Sequence, residues 1–132
     1  MENQILSGLS EKTKNLLYFS ESEAPLVIEN LGQLPKDQLN AKLTELNSET
    51  PGTLKTIDQD VFFDYLVKRA DPGDHFMVDN ANKFIALHTY LKENFSDIQV
   101  SRIEGGVNVP IIITAYQPDG SCISLSTYAI ET

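Results

Sequence analysis

The sequence predicts one α/β domain of the α+β kind, with four helices and a mostly antiparallel sheet that ends in a C-terminal β-hairpin. Three observations carry that prediction. Four segments repeat apolar residues at helical spacing. From Asn108 onward, two extended segments flank the turn Gln117-Pro118-Asp119-Gly120. The 132 residues, 41% of them hydrophobic, are the usual size of one domain with a real core. No repeat, linker or low-complexity tract divides residues 1–132.

Taken in order, Asn3 to Phe19 reads as an amphipathic helix with Ile5, Leu9, Leu16 and Leu17 on one side. Its end is set by Ala24-Pro25, because the residue before proline prefers an extended backbone. Ser20 and Glu23 have the spacing of a capping box, but no helical pattern follows them. Ser20-Glu21-Ser22-Glu23 is therefore expected as an exposed acidic loop leading into a strand, Leu26 to Leu31. Leu39, Leu43 and Leu46 place a helix over Lys36 to Leu46, after Pro35. Pro51-Gly52 marks a loop, and Leu54 to Ile57 a short strand. Two caps compete for the next helix, Gln59 to Lys68: Thr56 with Gln59, or Asp58 alone. That helix is expected to bury Val61, Phe62, Tyr65 and Leu66.

A second loop follows, Ala70 to Phe76, with Pro72-Gly73 at its centre. The next helix, Asn80 to Phe95, carries Ala81, Phe84, Ile85, His88, Leu91 and Phe95 at three-four spacing. Ile98 to Ile103 is a strand, and Glu104-Gly105-Gly106 turns it into the final hairpin. The run from Val107 to Gln117 holds no charge, so its strand is expected at the centre of the sheet, covered on both faces. The last strand has Ile123, Leu125 and Ala129 on one face and Ser124 and Ser126 on the other, which predicts partial cover. It ends in Ile130-Glu131-Thr132, a tip carrying the Glu131 side chain and the α-carboxylate of Thr132.

Charge and composition narrow the function. Nineteen acidic against 10 basic residues give a net charge of −9. This argues against direct nucleic-acid binding and against anionic membranes, and it suits a basic protein partner, although acidity also serves solubility alone. No apolar run approaches the roughly 20 residues that span a bilayer. The N-terminus shows no signal peptide, and Cys122 has no disulfide partner, so a cytoplasmic setting is expected.

Catalytic constellations are missing from the sequence. There is no HExxH, CxxC, GxGxxG, GxSxG or phosphate-binding glycine loop. His88 lies on an apolar helix stripe, where a hydrogen-bonded core imidazole is the ordinary reading. His75, beside Asp74, suits either a binding loop or a solvated turn. Glu21 and Glu23 form a carboxylate pair with no visible group to perturb them, as in any solvated acidic loop. The prediction is a non-enzyme with no cofactor, whose exposed features are the Ser20–Glu23 loop, the Asp71–Met77 loop and the C-terminal tip.

Four stretches resemble the nuclease A inhibitor family. They are Leu16-Leu17-Tyr18-Phe19-Ser20-Glu21-Ser22-Glu23-Ala24-Pro25, Ile57-Asp58-Gln59-Asp60-Val61-Phe62-Phe63, Asp74-His75-Phe76, and the hairpin that ends in Glu131-Thr132. The match is poorest across Glu29 to Lys55. The resemblance implies a single-domain α–β–α sandwich that binds a sugar-nonspecific DNA/RNA endonuclease of the ββα-metal class, Mg- or Mn-dependent, and blocks its active site. It places Thr132 at the nuclease's metal and Glu21 against basic residues of the cleft. Glu23 and Glu131 flank these, and Asp74 with His75 form the second contact loop. His75 stands where the family pattern carries tryptophan. Two alternatives remain at this stage. One is a non-catalytic binding module of the same fold for another basic protein. The other is a small acid/base enzyme using Glu21 and His75.

Overall fold

The charge-free run after Val107 becomes the middle strand of a five-stranded antiparallel sheet in the computed structural model, which describes residues 2–131. The elements follow in the order α1 (Glu2–Thr13), β1 (Leu17–Phe19), β2 (Glu23–Pro25), β3 (Val27–Gln33), a 3-10 turn (Lys36–Gln38), α2 (Leu39–Leu46), β4 (Thr53–Ile57), α3 (Gln59–Lys68), α4 (His75–Asn94), β5 (Ser96–Glu104), β6 (Asn108–Tyr116) and β7 (Ser121–Ile130). The main sheet runs β3-β7-β6-β5-β4, and β1 pairs with β2 in a separate small hairpin.

Strict alternation along β6 divides the core into two layers. Val109, Ile111, Ile113 and Ala115 point to the larger cluster, with Leu9 from α1, Phe62, Phe63 and Leu66 from α3, and Phe84, Leu87 and Leu91 from α4. Ile112 and Tyr116 point the other way and pack with Cys122, Ile103 and two leucines of α2, Leu39 and Leu43. Helices thus cover both faces, giving the α–β–α sandwich that the resemblance implies. Cys122 is fully buried as a small apolar group. The β6–β7 turn forms as expected: Gly120 takes φ +90° and its N–H donates to the Gln117 carbonyl at 3.0 Å.

Five expectations are corrected. The first helix stops at Thr13, not Phe19. Asn15 takes the left-handed conformation at φ 61°, one of the few non-glycine residues that do so readily, and Leu17–Phe19 is released to pair with Glu23–Pro25. On α3, Val61 and Tyr65 face solvent while Phe63 is buried instead, because the stripe that meets α4 is Phe62, Phe63 and Leu66. The helix begins under the Asp58 cap, which accepts from the Val61 N–H at 3.1 Å. α4 begins at His75, five residues before Asn80, because Asp74 caps it by accepting from Phe76 N–H at 3.0 Å and Met77 N–H at 3.2 Å. Within α4, Ile85 is exposed and Leu87 takes the core position. Finally, β7 is more than partly covered. It lies between β3 and β6, and Ser124 is buried.

His88 is the hydrogen-bonded imidazole of the inner α4 face. Its ring stacks on Phe63 at 4.1 Å, and its Nε2 lies 3.1 Å from Gln59 Oε1. Burial lowers its pKa below the usual 6.5 and Lys92 adds to this, against the opposing pull of Asp60. In the folded state the neutral ring is therefore favoured, and the unfolded chain binds the extra proton. Its contribution to stability is complete above about pH 6.5 and is lost as pH falls toward the depressed folded-state value. Thermal midpoints measured from pH 8 to pH 5 should fall on the acid side, and His88→Phe should flatten that part of the curve. An unchanged slope in the variant would remove His88 as the cause.

Candidate functional site

The acidic loop is the turn of the β1–β2 hairpin. Ser20 N–H donates to the Ser22 carbonyl at 2.8 Å, and Ser22 N–H donates back to Ser20 Oγ at 3.3 Å. Two side chains hold this hairpin from beneath. Asn80, buried on α4, accepts from Leu17 N–H at 3.1 Å and donates to the Leu17 carbonyl at 2.8 Å. Arg69, at the end of α3, donates to the Phe19 carbonyl, with its guanidinium 5.0 Å from the Tyr18 ring and 5.2 Å from the Tyr65 ring. The Tyr18 phenol titrates above its usual range because it is buried, with Arg69 and Arg102 pulling the other way.

The C-terminal tip is tied to this hairpin. Ile130 N–H donates to Ser20 Oγ at 3.0 Å, and Glu21 N–H donates to the Ile130 carbonyl at 3.4 Å. Glu131 N–H continues the anchoring at the Val107 carbonyl, 2.9 Å away. The Glu131 carboxylate does not project freely. It is ion-paired with Arg102, whose Nε also lies 3.3 Å from Glu104. Glu21 and Glu131 consequently line one open cleft of about 350 Å³, together with Tyr18, Tyr65, Arg69 and Arg102. Thr132 lies outside the described residues.

The third predicted segment meets the same surface through aromatic contact. Phe76, on the first turn of α4 and well exposed, packs edge-on to Phe19 with ring centroids 5.9 Å apart. His75 and Asp74 are exposed beside it, the latter as the helix cap. Glu23 is exposed at the first position of β2. Tip, hairpin and the start of α4 are thus stitched into one continuous surface. His75 does not line the cleft that holds Glu21. Among the described residues, no group of three or more His, Cys, Asp or Glu side chains is placed to hold a metal ion, and no helix is long and apolar enough to cross a membrane.

The family model described as nuclease A inhibitor-like protein matches residues 3–132. The chain belongs to that family. The matched range includes Glu29–Lys55. No curated protein matches the chain. Membership in the nuclease A inhibitor-like family points to a nuclease as partner and to an inhibitor in place of a catalyst, and it gives the acidic surface a context. Of the residues expected from the sequence, Glu21 and Glu131 line the cleft, while Glu23, Asp74 and His75 are exposed outside it. Tyr65, Arg69 and Arg102 also line that cleft and were not expected there. The pair Tyr65 and Arg69, four apart on one helix face, was the available signal. Placing Tyr65 in the core concealed it.

Proposed function

We propose that this protein inhibits a sugar-nonspecific ββα-metal endonuclease by filling its active site with the Ser20–Glu23 turn and the C-terminal threonine. The supporting observation is the direct bonding of the Ser20 turn to Ile130, which ties the acidic turn to the end of β7. An enzyme of this class holds a polyanion with basic side chains and a divalent metal that prefers oxygen ligands. A carboxylate carried on the end of an anchored strand is a substitute for a phosphate oxygen. Glu21 meets the cations that otherwise hold phosphate, with Glu23 at the rim and Asp74 and His75 forming the second contact. Glu131 is itself held by its pair with Arg102. Because the tied turn is already ordered, little conformational entropy is lost on binding. The net charge of −9 favours rapid association with a basic enzyme, slowing as salt rises. Inhibition is steric and electrostatic, and needs no cofactor of the protein's own.

The test is a titration of a ββα-metal endonuclease with Mg²⁺ and plasmid DNA. The intact chain should inhibit. Glu21→Ala should weaken inhibition roughly 30-fold or more, the size of an interface hot spot. If the intact chain protects plasmid from none of several such nucleases, the proposal fails, and capture of a different basic protein would then favour a binding module of the same fold.

A further inference from the structure

We infer that Tyr65 is an aromatic anchor of the same contact surface, on which a guanidinium side chain of the partner stacks. This rests on the inhibitor reading above and extends it to a residue outside the acidic turn and the tip.

Three observations carry it. The first is exposure in a fixed position. Tyr65 is 57% exposed, yet its ring is braced by the Arg69 guanidinium at 5.2 Å, which is itself 5.0 Å from the buried Tyr18 ring. Arg69 is thus shared between the buried Tyr18 ring and the exposed Tyr65 ring. A large aromatic held in place loses little rotamer freedom on contact, the property that enriches tyrosine at interface cores. The second is location. Tyr65 lines the cleft that also holds Glu21 and Glu131. The third is size. A stable protein complex engages about 20–30 residues a side, and the acidic turn, the tip and the Asp71–Phe76 segment together supply only about a dozen. Tyr65 adds exposed aromatic surface inside the cleft that the turn and the last strand share.

The choice of a guanidinium follows from charge. The partner of so acidic a chain is basic, and the ring lies in a cleft that Glu21 and Glu131 also line. Arg102 is offset by its pairs with Glu104 and Glu131, whereas Arg69 sets its own guanidinium against the ring, so the partner's must approach on the side away from Arg69. A π face in a cleft with carboxylates suits arginine, which is planar and weakly hydrated.

The experiment titrates a ββα-metal endonuclease, with Mg²⁺ and plasmid, against Tyr65→Phe, Tyr65→Leu and Tyr65→Ala. Phenylalanine keeps the π face and should hold affinity within about threefold of the native chain. Leucine keeps apolar bulk without the π face and should lose about tenfold, and alanine about 30-fold. Leucine equal to the native residue would overturn guanidinium stacking, and alanine within twofold would overturn the anchor altogether. Hydrogen exchange at Ser20–Glu23 separates contact from positioning. It should be unchanged in Tyr65→Leu, and faster exchange tracking the lost affinity would make Tyr65 only a support for Arg69, against the inference. Inhibition by the intact chain with no effect of Tyr65→Ala sinks this inference alone. No inhibition by the intact chain sinks the inhibitor reading and this inference with it.

Discussion

A chain lacking Thr132 is expected to inhibit a ββα-metal endonuclease about 30-fold to 1,000-fold less tightly than the intact chain, while folding equally well. The scaffold survives because, among the described residues, the strand is held by contacts that precede the deletion. Ile130 is bonded to Ser20, Glu131 N–H to the Val107 carbonyl, and the Glu131 carboxylate to Arg102. What changes is the position of the terminal carboxylate, which retreats by one residue. In an extended chain that is a step of about 3.3 Å with the direction of the side chains reversed. A metal-oxygen contact tolerates far less displacement. The check is inhibition of plasmid cleavage side by side with thermal midpoints of the two proteins. Equal inhibition at equal stability would rule out a role for the chain end. A deletion that lowers the midpoint sharply would show instead that the terminus is structural.

Asn80→Ala should cost about 2–4 kcal/mol of stability, the largest effect expected of any change outside the apolar core. Asn80 serves both backbone groups of Leu17, accepting at 3.1 Å and donating at 2.8 Å, across 63 residues of sequence. Alanine leaves both groups without their partner in a site where the side chain itself was buried. Each such orphan carries a penalty of roughly 1–3 kcal/mol. The damage is directed, because Leu17 begins the strand that bears the acidic turn. Inhibition should therefore weaken even in the fraction that stays folded. Asn80→Asp keeps the acceptor but sets a carboxylate against the Leu17 carbonyl, and should recover little. Denaturant midpoints and hydrogen exchange across Leu17–Pro25 measure both effects. A midpoint unchanged in Asn80→Ala would mean that water replaces the amide without loss.

The candidate surface was legible in parts and illegible as a whole. The acidic run Ser20 to Glu23 and the terminal strand stand out from composition and turn chemistry, which act over a few residues. Their junction does not, because the Ser20–Ile130 bond joins positions 110 apart. The same holds for the two arginines. Arg69 and Arg102 read as ordinary charges on a helix and a strand until the fold sets one under the hairpin and the other under the tip. Asp74 shows the reverse case. Its capping role was local, yet Pro72-Gly73 drew attention to a loop and away from the helix that starts immediately after it.

What the sequence determined by itself was the set of elements and the centre of the sheet. Hydrophobic period, proline and glycine placement, and the absence of charge from Val107 to Gln117 are properties of neighbouring residues, and they led to α2, α3, β4 and the β6–β7 hairpin with its turn. The family motifs lie in the same local record. Tertiary structure alone decided three further things. It released Leu17–Phe19 from the first helix into a hairpin, because Asn80 offers the strand a backbone partner from another element. It turned Val61 and Tyr65 outward, because only one stripe of a helix can meet α4 while a second apolar stripe must face elsewhere. And it brought the acidic turn, the end of β7 and the start of α4 together, since hydrogen bonds and ring contacts between distant segments depend on the sheet order, which no local pattern encodes.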